Sequence, residues 1–408
     1  MTGINRRSFM GAFAAGIAAP AALSGRARAE AQASPQDAEE KKQPEWEQYT
    51  DKKLRVGLVG YGFCKFSAEF YFQNHPNVEI AAVSDLFPDR CAELAKKVKC
   101  EKTYPSLEEM VKDDSIDTIF CATDAPSHAR HAILCLEHGK NVCHSVPVFY
   151  GNPEDGDKLF ETVKKNRGLK YAMFETSVFH ADLYAMERIY RAGGFGRIIY
   201  SEGEYDHTKA PGQPPYPSYK DWRKNGVPIW YPTHATAYYV GVTHKSFVDV
   251  SAQGIMPFTE NPVPNANGNV FTGEAALLHT SEGGLSRMMC CCAYGRYLEA
   301  GRVRGEIGGF DATYCSLEEA FTGTTDGVNI VKGLGDSIYR PALPPGVDGG
   351  GHGGSHGHLC ADFVDAILKD REPRVGIVDA LNMTVPGYYA HLSALRDGEL
   401  MKIPQYQL

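Results

Sequence analysis

The sequence lacks several features by which common classes of protein are recognised. It has no Cys-x-x-Cys pair, its 11 cysteines are an odd number, and no block of like charges accompanies its formal net charge of -8. The cysteines therefore predict neither a disulfide framework nor a zinc site, and the charges exclude a typical nucleic-acid-binding protein. No apolar run is long enough for a stable membrane span. With 408 residues, 43% of them hydrophobic, the chain can still bury large cores.

The first residues have the pattern of an export signal. The pair Arg6-Arg7 lies in Asn-Arg-Arg-Ser-Phe-Met, an apolar run rich in Ala and Gly covers residues 11–23, and residues 27–29 read Ala-Arg-Ala. A twin-arginine pair, a short apolar region and an A-x-A cleavage sequence together form a twin-arginine signal. We therefore predict such a signal over residues 1–29, with export to the periplasm by the twin-arginine translocation machinery. A polar linker is predicted over residues 30–52.

Two kinds of periodicity predict two domains. From Leu54, short apolar runs alternate with helical patterns, which is typical of a doubly wound parallel sheet. From Gly196, long strand-like runs follow one another and predict a large, mostly antiparallel sheet. We predict an α/β Rossmann domain over residues 53–150 and a substrate-binding α+β domain with an open sheet over residues 151–408. The strands predicted for the second sheet are Arg197–Tyr205, Ser246–Met256, Asn269–Thr280, Leu285–Tyr294 and Gly301–Tyr314.

A glycine-rich turn follows the first predicted strand. Gly60 and Gly62 would let backbone amides approach the pyrophosphate of a dinucleotide, although Lys65 occupies the place of the third glycine in G-x-G-x-x-G. Asp85, at the end of the second predicted strand, would accept hydrogen bonds from ribose hydroxyls and repel a 2′-phosphate. The pattern therefore favours NAD over NADP. A helix cap before Pro88 is the alternative role for Asp85.

Further motifs resemble the Gfo/Idh/MocA family. Cys121–His128 is similar to the family's strand end and P-x-x-H helix start, His138–Val142 to its G-K-x-V strand, and Gly351–His356 to its HGGSH loop. The resemblance extends from about Leu54 to Ile403. It implies a Rossmann domain, an open-faced sheet domain, a sugar or polyol substrate, and a homo-oligomer, either a dimer or a tetramer. The residues predicted to bind NAD are Gly60, Tyr61, Gly62, Phe63, Asp85, Thr123, Pro126, His128, Ser145, Pro147 and Glu175.

The catalytic residues of that family are only partly present. Its dehydrogenases have Glu-Lys-Pro after the fifth strand, and the lysine positions the substrate hydroxyl and relays its proton. Here the segment reads Ser145-Val146-Pro147. The family's Asp four residues before a His is replaced by Trp230, whereas His234 is retained. Because valine cannot carry a proton, the sequence assigns no residue to the role of the lysine.

The valine, together with Tyr231-Pro-Thr-His234, is similar to glycoside hydrolase family 109. That resemblance implies transient oxidation of a sugar hydroxyl by bound NAD, elimination of the glycosidic group, addition of water and return of the hydride. Ser145 departs from this family's Glu, and Phe179 lies where its catalytic Tyr is expected. We therefore predict hydride transfer from a sugar or polyol to tightly bound NAD. The alternatives are this glycosidase reaction and a sugar-binding protein without catalysis.

Three residues are candidates for catalysis. The near-neutral pKa of an ordinary imidazole would suit His234 as the acid or base, and a structural role at a helix start is the alternative. Tyr231 could orient a substrate oxygen, with packing as the alternative, and His180 could reach the substrate. Glu175 is a candidate ligand of ribose, nicotinamide or sugar, or else a capping acid.

The segment from Gly351 to His358 contains three histidines and several glycines. The spacing of the histidines would suit a metal ion only in a helix, and the glycines predict a loop. We therefore expect this segment to contact substrate or cofactor, or to be a structural turn, and we predict no metal site.

Overall fold

The computed structural model describes residues 45–207, 217–292, 297–312 and 316–408. The predicted export signal and most of the predicted linker lie outside these residues. The last residues of the predicted strands Leu285–Tyr294 and Gly301–Tyr314 also lie outside them. Within the described ranges, no helix has the length and the apolar character that crossing a membrane requires.

The first sheet contains six parallel strands. They are β1 (Leu54–Val59), β2 (Val78–Ser84), β3 (Thr103–Tyr104), β4 (Thr118–Cys121), β5 (Asn141–Ser145) and β6 (Tyr171–Phe174). The helices along this part of the chain are α1 (Phe66–Glu69), α2 (Pro88–Val98), α3 (Leu107–Met110), α4 (His128–Glu137) and α5 (Pro153–Lys165). The strand order is β3-β2-β1-β4-β5-β6, and every neighbouring pair is parallel. The predicted Rossmann fold is confirmed; the domain limit at residue 150 stays a prediction, and β6 follows it in the chain.

The order of these strands determines where a ligand can bind. β1 has β2 on one side and β4 on the other, so the chain changes direction across the sheet between β1 and β4. Ligands of open α/β sheets bind outside the carboxyl ends of the strands at such a switch point. All four residues of β4 are buried, as expected for a central parallel strand covered on both faces.

The second sheet is mostly antiparallel. Its strands are β7 (Ile198–Asp206), β8 (Phe247–Ile255), β9 (Gly273–Thr280), β10 (Leu285–Cys291), β11 (Leu298–Gly305), β12 (Gly308–Asp311), β13 (Phe321–Gly323) and β14 (Met401–Lys402). The order is β13-β12-β11-β7-β10-β9-β8-β14, and only the pairing of β7 with β10 is parallel. The predicted class of this sheet is confirmed.

One predicted strand of this sheet is wrong. The run Gly301–Tyr314 was expected to be a single strand, but β11 and β12 form an antiparallel hairpin within it. Val303 pairs with Phe310, and both side chains are buried. The chain reverses at Glu306 and Ile307, where the sequence has neither a proline nor an Asn-Gly pair to indicate a turn.

The remaining helices follow β6 in the chain. They are α6 (Ala181–Arg191), α7 (Thr233–Thr243), α8 (Leu317–Ala320), α9 (Thr325–Leu334), α10 (Gly351–Leu368) and α11 (Ile377–Ala394). Every residue of α7 is buried, including Thr233, His234, Thr236 and Thr243. Gly203 of β7 allows this packing, since a Cβ there would lie 1.8 Å from the carbonyl oxygen of Ala235. The close approach fixes the first turn of α7, and with it His234, against the sheet.

The predicted loop at the histidine-rich segment is only partly correct. His352, Gly353 and Gly354 have left-handed backbone angles, with φ values of 49°, 63° and 83°. Regular helix then begins at Ser355, so His356 and His358 are helical. Gly354 is the last glycine whose left-handed backbone interrupts the helix. The part of the segment that the sequence correctly predicted to be a loop therefore ends there.

Candidate active site

The residues predicted to bind the dinucleotide lie along the carboxyl edge of the first sheet. Gly60 follows β1, Asp85 follows β2, Thr123 lies two residues after β4, Ser145 ends β5 and Glu175 follows β6. The carboxyl ends of parallel strands meet at one edge, so the fold brings these distant residues together.

Asp85 connects the glycine turn to the loop after β2. The backbone N–H of Tyr61 donates to Oδ2 of Asp85 at 2.6 Å, and that of Phe87 donates to Oδ1 at 2.8 Å. Asp85 is not the helix cap, because Phe87 occupies the N-cap position of α2. Each carboxylate oxygen has a second lone pair, so the buried Asp85 can still accept hydrogen bonds from ribose hydroxyls.

The glycine turn has the shape that a dinucleotide needs. Gly60 has a φ of 92°, and a Cβ there would lie 2.5 Å from the carbonyl oxygen of Ala122. A Cβ on Gly62 would meet no atom within 4 Å, so the backbone of the turn faces open space. Further along the same edge, the buried hydroxyl of Ser145 has no hydrogen-bond partner among the described residues. An open glycine turn and an unpaired buried hydroxyl fit a bound NAD.

Other predicted ligands have different positions around this edge. His128 is buried, with Nδ1 2.8 Å from the carbonyl oxygen of Pro147 and Nε2 3.3 Å from that of Thr123. It therefore connects the loops after β4 and β5. Pro126 and Phe63 are exposed.

A buried cluster of acids and histidines begins directly after β6. Nδ1 of His234 donates to Oε1 of Glu175 at 2.7 Å, and the backbone N–H of Ser177 donates to the same oxygen at 2.9 Å. Glu299 of β11 joins from the second sheet, with Oε1 3.7 Å from Nδ1 of His234 and 2.5 Å from the hydroxyl of Ser177. His180 completes the cluster, with Nδ1 3.5 Å from Oε1 of Glu299. The side chains of Glu175, His234 and Glu299 are at most 3% exposed.

The electrostatics of the cluster keep His234 protonated. Burial lowers the pKa of His234, but the charges of Glu175 and Glu299 outweigh burial and raise it to about 9. Burial raises the pKa of Glu299, yet His180 and His234 outweigh burial and lower it to about 2. The expected near-neutral pKa of His234 is therefore wrong. At neutral pH its imidazolium can donate a proton or a hydrogen bond, but it cannot accept a proton.

The same three side chains also have donor atoms of the kinds that bind cations. One atom each of Glu175, His234 and Glu299 lies within 4.8 Å of the others. Oε1 of Glu175 already accepts from the N–H and the hydroxyl of Ser177 and from His234, whereas Oε2 of Glu175 is buried without a hydrogen-bond partner among the described residues. The absence of a metal site stays a prediction.

An aromatic cleft lies beside His234. It opens to solvent, with about 600 Å³ of empty space when that solvent is included, and is lined by Tyr150, Tyr205, Trp222, Arg223, Tyr231 and Cys290, among others. The ring centroid of Tyr205 is 4.5 Å from that of His234, and the ring centroid of Tyr231 is 5.6 Å from it. The cleft can hold a small molecule against apolar ring faces with His234 next to it. The predicted catalytic residues His234, Tyr231 and His180 are thus brought to one region.

Sequence reasoning missed Ser177 and Glu299. Ser177 follows Glu175 by two residues and forms the start of a 3-10 turn over Thr176–Phe179, which Glu175 caps. An acid two residues before a serine is a weak local signal for such a cap. Glu299 lies in a different sheet, and no local pattern connects it with Glu175. Phe179, at the place of the expected Tyr, stacks on His358 with ring centroids 5.4 Å apart.

A second pair of histidines lies next to the cluster. Nδ1 of His352 is 2.8 Å from Nε2 of His356, and Nδ1 of His356 is 3.0 Å from the carbonyl oxygen of Glu69. Arg340 fixes the left-handed turn by donating to the carbonyl oxygen of Gly353 at 2.6 Å. A left-handed backbone costs a residue with a side chain about 1–2 kcal/mol, and such strain is common at functional sites.

Comparison with known proteins identifies the type of the first domain. Residues 54–173 match the family model GFO_IDH_MocA, described as an oxidoreductase family with an NAD-binding Rossmann fold. The chain is 31% identical over 183 residues to "Glycosyl hydrolase family 109 protein 1" of Bacteroides fragilis. It is 26% identical over 182 residues to "Glycosyl hydrolase family 109 protein" of Porphyromonas gingivalis. These matches cover 42% of this chain and only 38% and 37% of the two relatives.

Solved structures share the whole fold at low identity. Levoglucosan dehydrogenase in complex with NADH and levoglucosan has a TM-score of 0.68 at 18% identity, over 87% of this chain and 100% of the other. Myo-inositol 2-dehydrogenase from Lactobacillus plantarum has a TM-score of 0.62 at 16% identity, over 86% and 100%. The predicted fold and the predicted NAD-binding Rossmann domain are confirmed. Residues 54–173 therefore form an NAD-binding Rossmann domain of the Gfo/Idh/MocA oxidoreductase type.

Proposed function

We propose that this protein is an NAD-dependent oxidoreductase that acts on a hydroxyl-bearing carbon of a sugar or polyol. The observation that carries the proposal is the buried Glu175–His234 pair, which lies against two of the tyrosines that line the aromatic cleft, in a chain with a glycine turn suited to a dinucleotide. When bound, NAD supplies the acceptor for a hydride. The same observation argues against a sugar-binding protein without catalysis, because a buried charged cluster is costly to retain for packing alone.

The residues of the chain supply binding, orientation and charge. The ring faces of Tyr205 and Tyr231 hold the substrate beside His234. The imidazolium of His234 donates a hydrogen bond to the substrate oxygen and stabilises negative charge that develops there. Glu175 keeps that imidazole protonated and fixes its ring, since Nδ1 is engaged and Nε2 is left to face the substrate.

An NAD-dependent glycosidase is the second candidate. The curated relatives named glycosyl hydrolase family 109, the Val146 that replaces the lysine and the Tyr231–His234 motif favour it. In that reaction a proton leaves the carbon next to the oxidised centre, and the glycosidic group is eliminated. The homo-oligomer implied by the family resemblance remains part of the proposal for either candidate.

One experiment tests both candidates. Mass spectrometry of freshly purified, denatured protein is expected to show bound NAD rather than NADP. The holoenzyme is then incubated in deuterium oxide with levoglucosan, myo-inositol and 4-nitrophenyl glycosides. An oxidoreductase produces reduced dinucleotide and a ketone, without cleavage. A glycosidase releases 4-nitrophenol with no net change in the dinucleotide, and it incorporates deuterium at the ring carbon next to the oxidised one.

The negative outcomes of that experiment are equally specific. Protein that carries no dinucleotide and binds no added NAD would remove both enzymatic candidates. Preferential retention of NADP would contradict the role given to Asp85, whose carboxylate should repel a 2′-phosphate.

We also propose that the protein is exported in folded form by the twin-arginine pathway. The support is the Arg6-Arg7 pair with its apolar run and cleavage sequence. Replacing both arginines with lysine is expected to leave full-length protein in the cytoplasm, because the export receptor reads the arginine pair. Fractionation followed by mass determination measures this. Normal processing of that variant would show that the segment is not a twin-arginine signal.

A further inference from the structure

Part of the aromatic cleft is lined by chain outside the helices and strands. Residues 222–227, here called the wall segment, lie between two 3-10 turns, Tyr219–Asp221 and Pro228–Trp230. The residues of the wall segment that line the cleft are Trp222, Arg223, Gly226 and Val227. Because this segment lies outside the helices and strands, its backbone groups need partners elsewhere in the chain, and those partners determine its position.

The backbone that leads into the wall segment is strained. Lys220 and Asp221 are neighbours, and both have left-handed backbones, with φ values of 49° and 55°. A residue with a side chain adopts this conformation at an energetic cost, and the conformation persists where surrounding contacts impose it. The contacts of the wall segment must therefore outweigh that cost.

The loop between β8 and β9 supplies several of these contacts. Nδ2 of Asn267 donates to the carbonyl oxygen of Asn225 at 2.7 Å, and Nδ2 of Asn265 donates to that of Gly226 at 3.0 Å. Residues 265–269 are here called the asparagine loop. Its side-chain amides satisfy two successive carbonyl groups of the wall segment, as a neighbouring strand would.

The asparagine loop has its own internal hydrogen bonds. Oδ1 of Asn265 accepts from the backbone N–H groups of Asn267 at 2.9 Å and Asn269 at 3.1 Å, and Asn269 is buried. The side chain of Asn267 is different, because it is exposed and, among the described residues, its one hydrogen bond is that to the carbonyl oxygen of Asn225. Asn267 can therefore be changed without changing the turn that carries it.

Tyr150 also holds the wall segment. Its Oη accepts from the backbone N–H of Val227 at 2.7 Å and donates to the carbonyl oxygen of Val227 at 3.3 Å. A Cβ on Gly226 would lie only 3.2 Å from the same Oη, so the segment passes very close to this tyrosine. Held in this way, Trp222 stacks on Tyr231, with ring centroids 6.3 Å apart and ring planes at 20°.

We propose that Asn265 and Asn267 are positioning residues for substrate binding, because they fix the wall segment and with it the place of Trp222 in the cleft. A substrate that enters an already ordered cleft does not have to order the wall itself, so its affinity is higher. The glycine turn is held separately, through Asp85. The asparagine loop should therefore act on substrate affinity and leave the dinucleotide site unchanged. This inference rests on the proposed function, which places the substrate in the cleft.

The test is removal of the amide donor of Asn267. Asn267→Ala is expected to fold, because the side chain is exposed and Asn265 holds the turn. For the substrate identified for the wild type, KM is expected to rise about 5- to 10-fold, the usual effect of losing one hydrogen bond, while kcat stays near the wild-type value. NADH fluorescence titration should give the wild-type affinity.

Two further variants make the result specific. Asn267→Asp keeps the size of the side chain but cannot donate to the carbonyl oxygen of Asn225, so it should raise KM at least as much as Asn267→Ala. Asn166→Ala is the matched control. Nδ2 of Asn166 also donates to a backbone carbonyl oxygen, that of Thr162 at 2.8 Å, but at the end of α5. It should keep the wild-type KM.

A second measurement does not depend on activity. In hydrogen–deuterium exchange of the holoenzyme, peptides that cover residues 222–227 should exchange faster in both Asn267 variants than in the wild type or Asn166→Ala, because less energy is then needed to open the wall segment. Unchanged exchange there would overturn the inference, as would a wild-type KM in both Asn267 variants. A fall in kcat at unchanged KM would also overturn it, because the loop would then act on the transition state.

The outcomes separate this inference from the proposed function. Any of the three contrary results would leave the oxidoreductase proposal intact, since the wild type would still oxidise its substrate. Absence of any wild-type reaction with the panel of sugars would instead overturn the proposed function, and this inference with it, whatever the exchange rates.

Discussion

Replacement of His234 by Asn is expected to lower turnover by about 10²–10³-fold, the usual effect of losing a hydrogen-bond donor to charge that develops in the transition state. The affinity for NAD should remain close to that of the wild type. The hydrogen bonds that shape the glycine turn run through Asp85 and do not involve His234. Steady-state rates and NADH fluorescence titration measure the two quantities separately.

The control must account for stability, because the variant leaves Glu175 and Glu299 buried without their imidazolium. His391→Asn is that control. His391 is also buried and also pairs with a glutamate, its Nδ1 lying 2.7 Å from Oε1 of Glu274, but it is outside the cluster around His234. We expect His391→Asn to lose stability while keeping turnover within a few-fold of the wild type. Wild-type rates in His234→Asn would mean that His234 is structural.

The cofactor edge could be predicted because its signals are local. A glycine turn after an apolar strand and an acid after the next strand are each visible within a few residues. Once the strands are parallel, the topology itself collects Gly60, Asp85, Ser145 and Glu175 at one edge. To predict this edge, the sequence needed to indicate only which segments are strands or helices and in which order they follow one another.

The chemistry of the buried cluster around His234 could not be predicted in the same way. The sequence motif indicated His234, but the protonation state of His234, in α7, depends on Glu299, which lies on β11 of the second sheet. A single sequence contains no signal for such a contact between distant elements. The expected near-neutral pKa therefore failed because two buried carboxylates outweigh burial.

The histidine-rich segment shows the same limit on a smaller scale. Its glycines correctly indicated an interruption of regular helix, and the structure has left-handed residues from His352 to Gly354. The hydrogen bond from His356 to the carbonyl oxygen of Glu69 joins this segment to the end of α1. That contact depends on the packing of elements far apart in the chain.

Replacement of Glu175 by Gln is expected to change how stability depends on pH. The pKa of His234 is about 9 in the folded protein and about 6.5 in an unfolded chain. A group with a raised folded pKa stabilises the fold fully below its unfolded pKa, and this contribution is lost as pH rises through the folded value. The free energy of unfolding of the wild type should therefore fall between about pH 6.5 and pH 9.

In Glu175→Gln, the pKa of His234 should move back towards its ordinary value, since only Glu299 remains, at 3.7 Å. The fall in stability over that pH interval should then be smaller. At about pH 6, loss of one partner of a buried pair should cost about 3 kcal/mol. The difference from the wild type should shrink near pH 9, where wild-type His234 has lost about half of its charge. Urea unfolding at several pH values measures both quantities.

Two matched variants make the result specific. Glu299→Gln should give a weaker effect in the same direction, because its carboxylate is 3.7 Å from Nδ1 of His234 rather than 2.7 Å. Glu306→Gln removes a carboxylate from an exposed pair with Arg197 and should leave the pH profile unchanged. If wild type and Glu175→Gln lose stability equally over this pH interval, Glu175 does not hold the proton on His234. The imidazolium of His234 would then owe its charge to Glu299, on β11 of the second sheet.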